Sequence, residues 1–515
     1  MSPLSSALHH VIFASSAAEH LRFRLRGGRL EAEQKRRLRE VLQSAGQGAY
    51  HRGQGWDRIT SYEEFRQRVP LSRYADWQPL ITADRERKAG NMPPCERYQP
   101  TSGSTSARKW VPYSRAYLAE INRAISVWMH ELYRAYPGIR GGKHYWSLSW
   151  FPTELRAQLS ENSDLQHLPW LKRAVLSRVQ AVPDELAFLA SSDDSKVATL
   201  AYLAAAEDLS FISVWSPTFL LEMLKSLARE RVRLAEVLAT GRWELAVKAP
   251  RSARQAEKLR RWNGTVSAEF LNAFWPRLAL VSAWSTSTSK DFFEQLQKLF
   301  TRAAFQGKGL FATEGVVTLP FSDTYLLSYS SHFYEFHKSD GSVIPAWELK
   351  RGDVVKPILS SGNGLLRYQM EDLIEVRGFV NGVPDLCFLG REATSDLVGE
   401  KLSYQSLGEM AGACARGSFF LSIGDRPRYV LVCDASPAAG TSERLERMLL
   451  EHFHYRLARE LGQLGESAIL VAPAGALRLY LDLCQKRGML EGDVKVQPVL
   501  RISEAELAGL AGGGR

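Results

Sequence analysis

Between residues 113 and 304, stretches of helical periodicity alternate with short apolar runs, and this constrains the fold of the 515-residue chain more than any other feature. Tyr113 to Tyr136 carries apolar residues at helical spacing, and Pro137-Gly138 stops it. Phe211-Ile-Ser-Val-Trp215 reads as a buried strand, with Thr218 to Ala228 as the helix after it. Leu278-Ala-Leu-Val-Ser-Ala-Trp284 and the helical stretch Asp291 to Ala304 repeat the pattern. Such alternation predicts an α/β architecture. Upstream, the first 75 residues are helical in spacing, and Ser61 with Glu64 three residues on forms a capping box.

From about residue 310 the pattern changes. Phe311-Ala-Thr-Glu-Gly-Val-Val317, Tyr325-Leu-Leu-Ser-Tyr329, Phe333-Tyr-Glu-Phe336 and Leu373-Ile-Glu-Val-Arg-Gly-Phe379 are short strands separated by Gly, Ser and Asp turns, which predicts a β-rich subdomain. Beyond Arg391 the αβ alternation returns: strands at Arg428 to Cys433 and Ala468 to Ala472, helices at Ser442 to Leu461 and Leu477 to Arg487. This reads as a separate domain of about 120 residues. The expected division is 1–392 and 393–515.

Composition narrows the class. Hydrophobic residues at 45% and charged residues at 24% exclude a mainly disordered chain, a collagen-like fibre and a small disulfide scaffold. The net charge of +10 and pI near 9.3 are mild for this length. The densest basic group, Lys248, Arg251, Arg254, Lys258, Arg260 and Arg261, reads as a solvated helix face rather than a nucleic-acid track. Five scattered cysteines without a CxxC pair argue against zinc and disulfide frameworks and fit thiols in a reducing cytoplasm. The stretch MSPLSSALHHVIFASS lacks a basic region followed by an unbroken apolar run, so no signal peptide is expected. Val197 to Trp215 holds Glu207 and Asp208 in its middle, too costly for a membrane span.

Five polar segments carry candidate chemistry. In Gln99-Pro-Thr-Ser-Gly-Ser-Thr-Ser-Ala-Arg-Lys109, hydroxyls and backbone N–H groups around Gly103 suit phosphate oxygens, with Arg108 and Lys109 adding charge. It is not a Walker loop. Thr313-Glu314 places a hydroxyl beside a carboxylate that can hold Mg²⁺ against phosphates. Asp372, at a strand end, suits two ribose hydroxyls. Gly390-Arg391 with Gly399-Glu400-Lys401, and Gly492-Asp-Val-Lys495-Val, complete the set. Taken singly, each also reads as an ordinary surface turn or solvated lysine.

In this order and spacing the segments resemble the adenylate-forming superfamily of acyl-CoA synthetases, peptide-synthetase adenylation domains and luciferases. The nearer resemblance is to the Gretchen Hagen family of acyl acid–amido synthetases, in its bacterial branch. It rests on TSGSTSARKWVPYS, VWSPTFLLEML, FATEGVV, SHFYEF, GLLRYQMEDLIEVRGF, FLGR, LVGEKLS and DVKVQPVL, between about residues 60 and 500. The resemblance implies a large N-terminal domain of mixed sheets flanked by helices with a β-rich subdomain, and a small mobile α+β C-terminal domain hinged just after Arg391. By the same resemblance Ser102, Gly103, Ser104, Thr105 and Ser106 cradle the ATP phosphates, Thr313 and Glu314 sit at the phosphate and Mg²⁺ position, and Asp372 binds ribose with Arg391 beside it. Lys401 and Lys495 match lysines of the mobile domain that approach the nucleotide or the reacting carboxylate. The sequence departs from the pattern at Ala107 and Glu371, where relatives often carry Gly.

The implied reaction activates a carboxylic acid with ATP and Mg²⁺ as an acyl-adenylate, then passes the acyl group to the amine of an amino acid, in a monomer or weak homodimer that needs neither nucleic acid nor membrane. Trp128, Tyr133, Phe333 and Tyr334 are candidate acyl-pocket residues, with ordinary core aromatics as the competing reading. Rival readings are transfer to coenzyme A, a nucleotide-binding relative without catalysis, and an RNA-binding protein.

Overall fold

The computed structural model describes residues 3–100, 109–147, 178–286, 289–391, 394–398, 400–489, 492 and 494–512. The chain forms two compact units, with the change-over between Leu389 and Gly390.

In the first unit a hairpin of β1 (Cys95–Pro100) and β2 (Trp110–Ser114) leads into the helix Arg115–Ala135. Ser114 caps that helix by accepting the Tyr117 N–H, so Tyr113 belongs to the strand and the helix starts later than its periodicity suggests. Four strands, β3 (Lys143–Trp146), β4 (Leu209–Ser213), β5 (Leu280–Ala283) and β6 (Ala304–Gly307), pair in that order, all parallel. The helices Ser192–Ala205, Pro217–Arg229 and Lys290–Leu299 alternate with them. The expected 291–304 helix therefore stops early: Phe300 leaves helical geometry and Ala304 already pairs with Leu280. Glu207 and Asp208 fall between the helix ending at Ala205 and β4. The basic group around the helix Ala253–Arg261 is partly neutralised in place, with Arg254 on Glu207 and Arg261 on Glu257.

After β6 come two short strands, β7 (Phe311–Ala312) and β8 (Gly315–Val316), and then an eight-stranded sheet. Its strands are β9 (Thr318–Phe321), β10 (Thr324–Leu327), β11 (Phe333–Lys338), β12 (Val343–Pro345), β13 (Val354–Ser360), β14 (Tyr368–Gln369), β15 (Asp372–Val380) and β16 (Val383–Arg391). The order is β12-β11-β13-β15-β16-β10-β9, with β14 on β13.

The second unit opens with β17 (Thr394–Ser395) paired to β18 (Leu402–Ser403). Its sheet joins β19 (Phe419–Ile423), β20 (Arg428–Cys433), β21 (Ala468–Val471) and β22 (Val499–Ile502) in the order β21-β20-β19-β22. The single helix expected over 442–461 is two, Thr441–Leu450 and Phe453–Glu460, because His452 adopts extended backbone between them. Glu446 fixes the corner: its carboxylate accepts from Tyr455, Arg459 and the Ser467 N–H. All five cysteines are described and none is in a disulfide. Among the described residues no helix is long and apolar enough to cross a membrane.

The amino-terminal helix Pro3–Arg26 packs on the helix Arg115–Ala135 through buried histidines. His9 Nε2–H donates to the Gly142 carbonyl (2.7 Å), and His9 Nδ1 accepts from the Tyr133 hydroxyl (2.8 Å). His144 Nε2–H donates to the Ile139 carbonyl, and the ring lies 4.7 Å from that of His9. Burial pushes His144 down to about 3, with the His9 charge adding, and burial lowers His9 as well. The unfolded chain therefore binds more protons than the folded one between about pH 3 and 6.5, so stability is lost as pH falls below 6.5. His144 alone should remove about 1.4 kcal/mol between pH 7.5 and pH 5.5. Urea unfolding at the two pH values measures it. An equal acid loss in His144→Gln would contradict the assignment.

Candidate functional site

The register of β7 and β8, Phe311 to Val316 and Ala312 to Gly315, leaves Thr313 and Glu314 as a two-residue turn. Both ends of this turn are held from below. The Tyr117 hydroxyl donates to the Thr313 carbonyl (2.7 Å), and Tyr113 to the same oxygen (3.3 Å). The Val316 N–H donates to His332 Nε2 (3.1 Å), and the Tyr334 hydroxyl donates to the Val316 carbonyl (2.6 Å). His332 Nδ1–H in turn donates to Glu120 (2.7 Å). Accepting with one nitrogen and donating with the other fixes the His332 tautomer. Glu120 also accepts the Gly362 N–H. Gly315 packs closely here: a Cβ would lie 2.6 Å from Leu359 Cδ2 and 3.2 Å from His332, so a larger residue would have to push the Leu359 side chain aside. Burial, with the carboxylates of Glu314 and Glu120 adding, holds the Tyr117 hydroxyl protonated.

Glu120→Ala strips the acceptor from two buried donors at once. It should cost about 3 kcal/mol, read as a shift in urea midpoint. A loss below about 1 kcal/mol would show that this support is dispensable.

A second segment meets the turn. The Tyr368 hydroxyl donates to Glu314 Oε1 (3.2 Å), and four residues on Asp372 opens β15, buried, while Glu371 beside it is exposed. Arg367 carries the chain into this segment with φ +47°, a left-handed conformation that a non-glycine residue adopts at a cost. Its anchoring compensates: Nε and Nη2 donate to the two oxygens of Glu335 (2.9 and 3.0 Å), Nη1 to the Val69 carbonyl and the backbone N–H to Ser360. Thr313, Glu314 and the Tyr368–Asp372 segment are thus gathered in the first unit.

The remaining predicted positions fall elsewhere. Ser102, Gly103, Ser104, Thr105 and Ser106 lie outside the described residues. Arg391 ends β16, and its side chain is likewise outside the description. Lys401 and Lys495 belong to the second unit. Lys401 has φ +45°, next to Glu400, whose carboxylate accepts the N–H groups of Leu397 and Val398. Lys495 is half-exposed and follows the buried Val494; two residues on, the Gln497 N–H donates to the Tyr480 hydroxyl.

The aromatic set divides. Tyr133, Phe333 and Tyr334 are wholly buried core residues: Tyr133 is committed to His9, Tyr334 to the Val316 and Ser328 carbonyls, and Phe333 packs edge-on against Phe65. Trp128 instead stands beside Phe311, two residues from Thr313. It belongs to a group that residue-by-residue reading missed. Where the parallel strands β3, β4 and β5 end, Trp146, Trp215 and Trp284 follow in turn, all half-exposed. Ligands of α/β sheets bind beyond the carboxyl ends of strands. The signal was in the sequence, as tryptophan closing each of two apolar runs.

Glu314 and Thr313 supply hard oxygen donors at one turn, a set that suits Mg²⁺, which is held by one or two carboxylates together with phosphates.

The sequence matches the GH3 family N-terminal domain over residues 22–305, the central domain over 325–391 and the C-terminal domain over 413–504. The chain belongs to the GH3 family. The fold of this GH3 chain is similar to that of the GH3.15 acyl acid amido synthetase, with TM-score 0.75 and 17% identity over 94% of this chain and 93% of that one. The structure titled AtGH3.15 acyl acid amido synthetase in complex with 2,4-DB gives 0.76 and 17% over 93% of each. A 2-hydroxyisobutyryl-CoA ligase in complex with 2-HIB-AMP gives 0.52 and 14%, over 92% of this chain and 89% of that one. No curated protein matches the sequence significantly. The architecture is that of adenylate-forming enzymes.

Proposed function

We propose that the chain is an ATP-dependent, AMP-forming acyl acid amido synthetase. A carboxylate oxygen attacks the ATP α-phosphorus and the bond to pyrophosphate breaks, leaving an acyl-adenylate. The amine nitrogen of an amino acid then attacks the acyl carbon, AMP departs with the ester oxygen, and the amine proton passes to solvent. Because AMP is a good leaving group, the scheme asks for no enzyme nucleophile; the protein's contribution is alignment and charge stabilisation.

The observation that carries this reading is the rigid Thr313–Glu314 turn joined through Tyr368 to the strand that Asp372 opens, within a chain of the GH3 family. In this reading Asp372 accepts from ribose hydroxyls and Thr313 donates to a phosphate oxygen. Tyr368 holds the Glu314 carboxylate in place, and Glu314 with Thr313 would hold Mg²⁺. When bound, the ion neutralises charge that develops on the phosphates. The loop at 101–106, Arg391, Lys401 and Lys495 complete the reading as nucleotide and acyl-transfer residues.

A pyrophosphate-release screen of carboxylic acids, crossed with the common amino acids and with coenzyme A, tests it. The expected result is acid-dependent release, with an amide formed from one or a few amino acids. Acyl-coenzyme A as the sole product would replace the acceptor. Absence of release across a broad panel would favour a nucleotide-binding protein without catalysis.

A further inference from the structure

Lys308 is the first residue beyond β6, at the same sheet edge as the three tryptophans, and it is more than nine-tenths buried. Its ammonium donates to Ser213 Oγ (2.7 Å) and lies 4.8 and 4.6 Å from the ring centroids of Trp128 and Trp215. Phe311 stands against the same two rings, at 6.0 and 5.7 Å. The cation is therefore sandwiched by indole faces at the aromatic side of the Thr313–Glu314 turn. Trp128 is locked in this pose by its Nε1–H on the Gln306 amide oxygen (3.0 Å).

Two further groups point to a ligand. Ser213 and Ser282 are register partners in adjacent parallel strands, so their side chains leave the sheet on one face. The Ser282 hydroxyl is wholly buried and has no hydrogen-bond partner among the described residues. Trp146 Nε1, on the neighbouring strand, is also a buried donor without a partner among the described residues, and its ring lies edge-on to Trp128. Buried polar groups left unpaired are costly, and native proteins keep them where a ligand or water completes them. A wall of flat aromatic rings with a few convergent donors is the lining of a site for a small, flat molecule bearing an acceptor. An ammonium set between indoles, where water is largely excluded, attracts an oxygen acceptor strongly.

We propose that Lys308 is a specificity-determining residue: with Ser282 it reads an oxygen acceptor on the body of the acyl acid, remote from the carboxylate that is activated. The preferred acid is flat and unsaturated, and carries a ring hydroxyl, a carbonyl or a second carboxylate. This rests on the amido synthetase reading for the chemistry, but not for the binding.

The test uses the full chain, its Lys308→Met variant and its Ser282→Ala variant. The probes are 3-phenylpropenoic acid, 3-(4-hydroxyphenyl)propenoic acid and decanoic acid. Calorimetric binding and acid-dependent ATP–pyrophosphate exchange are both measured, with the unfolding midpoint as a control of folding. Wild type should favour the hydroxylated acid over its parent by about tenfold or more in affinity and in kcat/KM. Lys308→Met should bring that ratio to near one, acting on the KM for the acid and leaving the KM for ATP unchanged. Ser282→Ala should reduce the ratio in part. Met approximates the volume of the lysine stem, and replacing a buried charge by such a residue is commonly tolerated. Should Lys308→Met unfold, Ser282→Ala alone still decides through the ratio. The inference is overturned by a wild-type preference for decanoic acid, by equal binding of the two aromatic acids, or by variants that weaken both acids alike. Lys308-dependent binding without exchange would leave it standing and sink the amido synthetase reading instead.

Discussion

Glu314→Gln is expected to fold as the parent chain does and to lose about 10²- to 10³-fold in acid-dependent ATP–pyrophosphate exchange. Among the described residues the Glu314 carboxylate accepts a hydrogen bond from Tyr368, which the glutamine oxygen can still accept. The turn itself is held by its backbone, through Tyr117, His332 and Tyr334. What glutamine removes is the charge, and a negative charge is what a bound divalent ion would require of this position. The urea midpoint should therefore stay within about 0.5 kcal/mol of wild type while exchange collapses. Asp372→Ala should show a comparable loss, accompanied by a raised KM for ATP, because its proposed partner is the nucleotide sugar. Exchange within about fivefold of wild type in both variants would remove this turn and strand end from the active site.

How much of this was readable in advance depended on the range of the interaction concerned. The strands at Phe211, Leu280, Arg428 and Ala468 were legible because burial of an apolar run is local in sequence. The end of the helix at Leu299 and the break at His452 were not. In the first case Ala304 is taken by pairing to Leu280, and in the second Glu446 gathers Tyr455, Arg459 and Ser467. Glu314 and Asp372 stood out because they lie in motifs whose order along the chain is specific. Their supports did not. Tyr117 and Glu120 read as one face of a helix, yet their partners Thr313 and His332 lie 196 and 212 residues away. Tyr133, Phe333 and Tyr334, open in the sequence to both a pocket and a core reading, are wholly buried, and residue type alone does not separate the two. Position at the ends of parallel strands distinguishes Trp146, Trp215 and Trp284, and that position depends on a sheet whose pairings are long-range.

Lys495→Ala is expected to abolish adenylate formation almost entirely, by about 10²- to 10³-fold, while ATP binding is retained. The residue sits in a short connection fixed at both sides, by buried Val494 before it and by the Gln497 N–H on Tyr480 after it. A half-exposed lysine on so constrained a backbone projects its ammonium from a defined base, which is what a group acting on developing negative charge needs. Removing the side chain beyond Cβ leaves both anchors in place, so the second unit should keep its stability. Two assays divide the roles. Exchange of pyrophosphate with acid and ATP reads the first half-reaction. Supplying a synthetic acyl-adenylate with the amino acid reads the second, which Lys495→Ala should perform at close to the wild-type rate. Lys401→Ala provides the comparison, since Lys401 is the other candidate lysine of the same unit. If Lys495→Ala instead spared exchange and lost amide formation, the two lysines would exchange roles. If neither variant changed either half-reaction, the charge acting on the reacting groups would have to come from residues other than these two lysines.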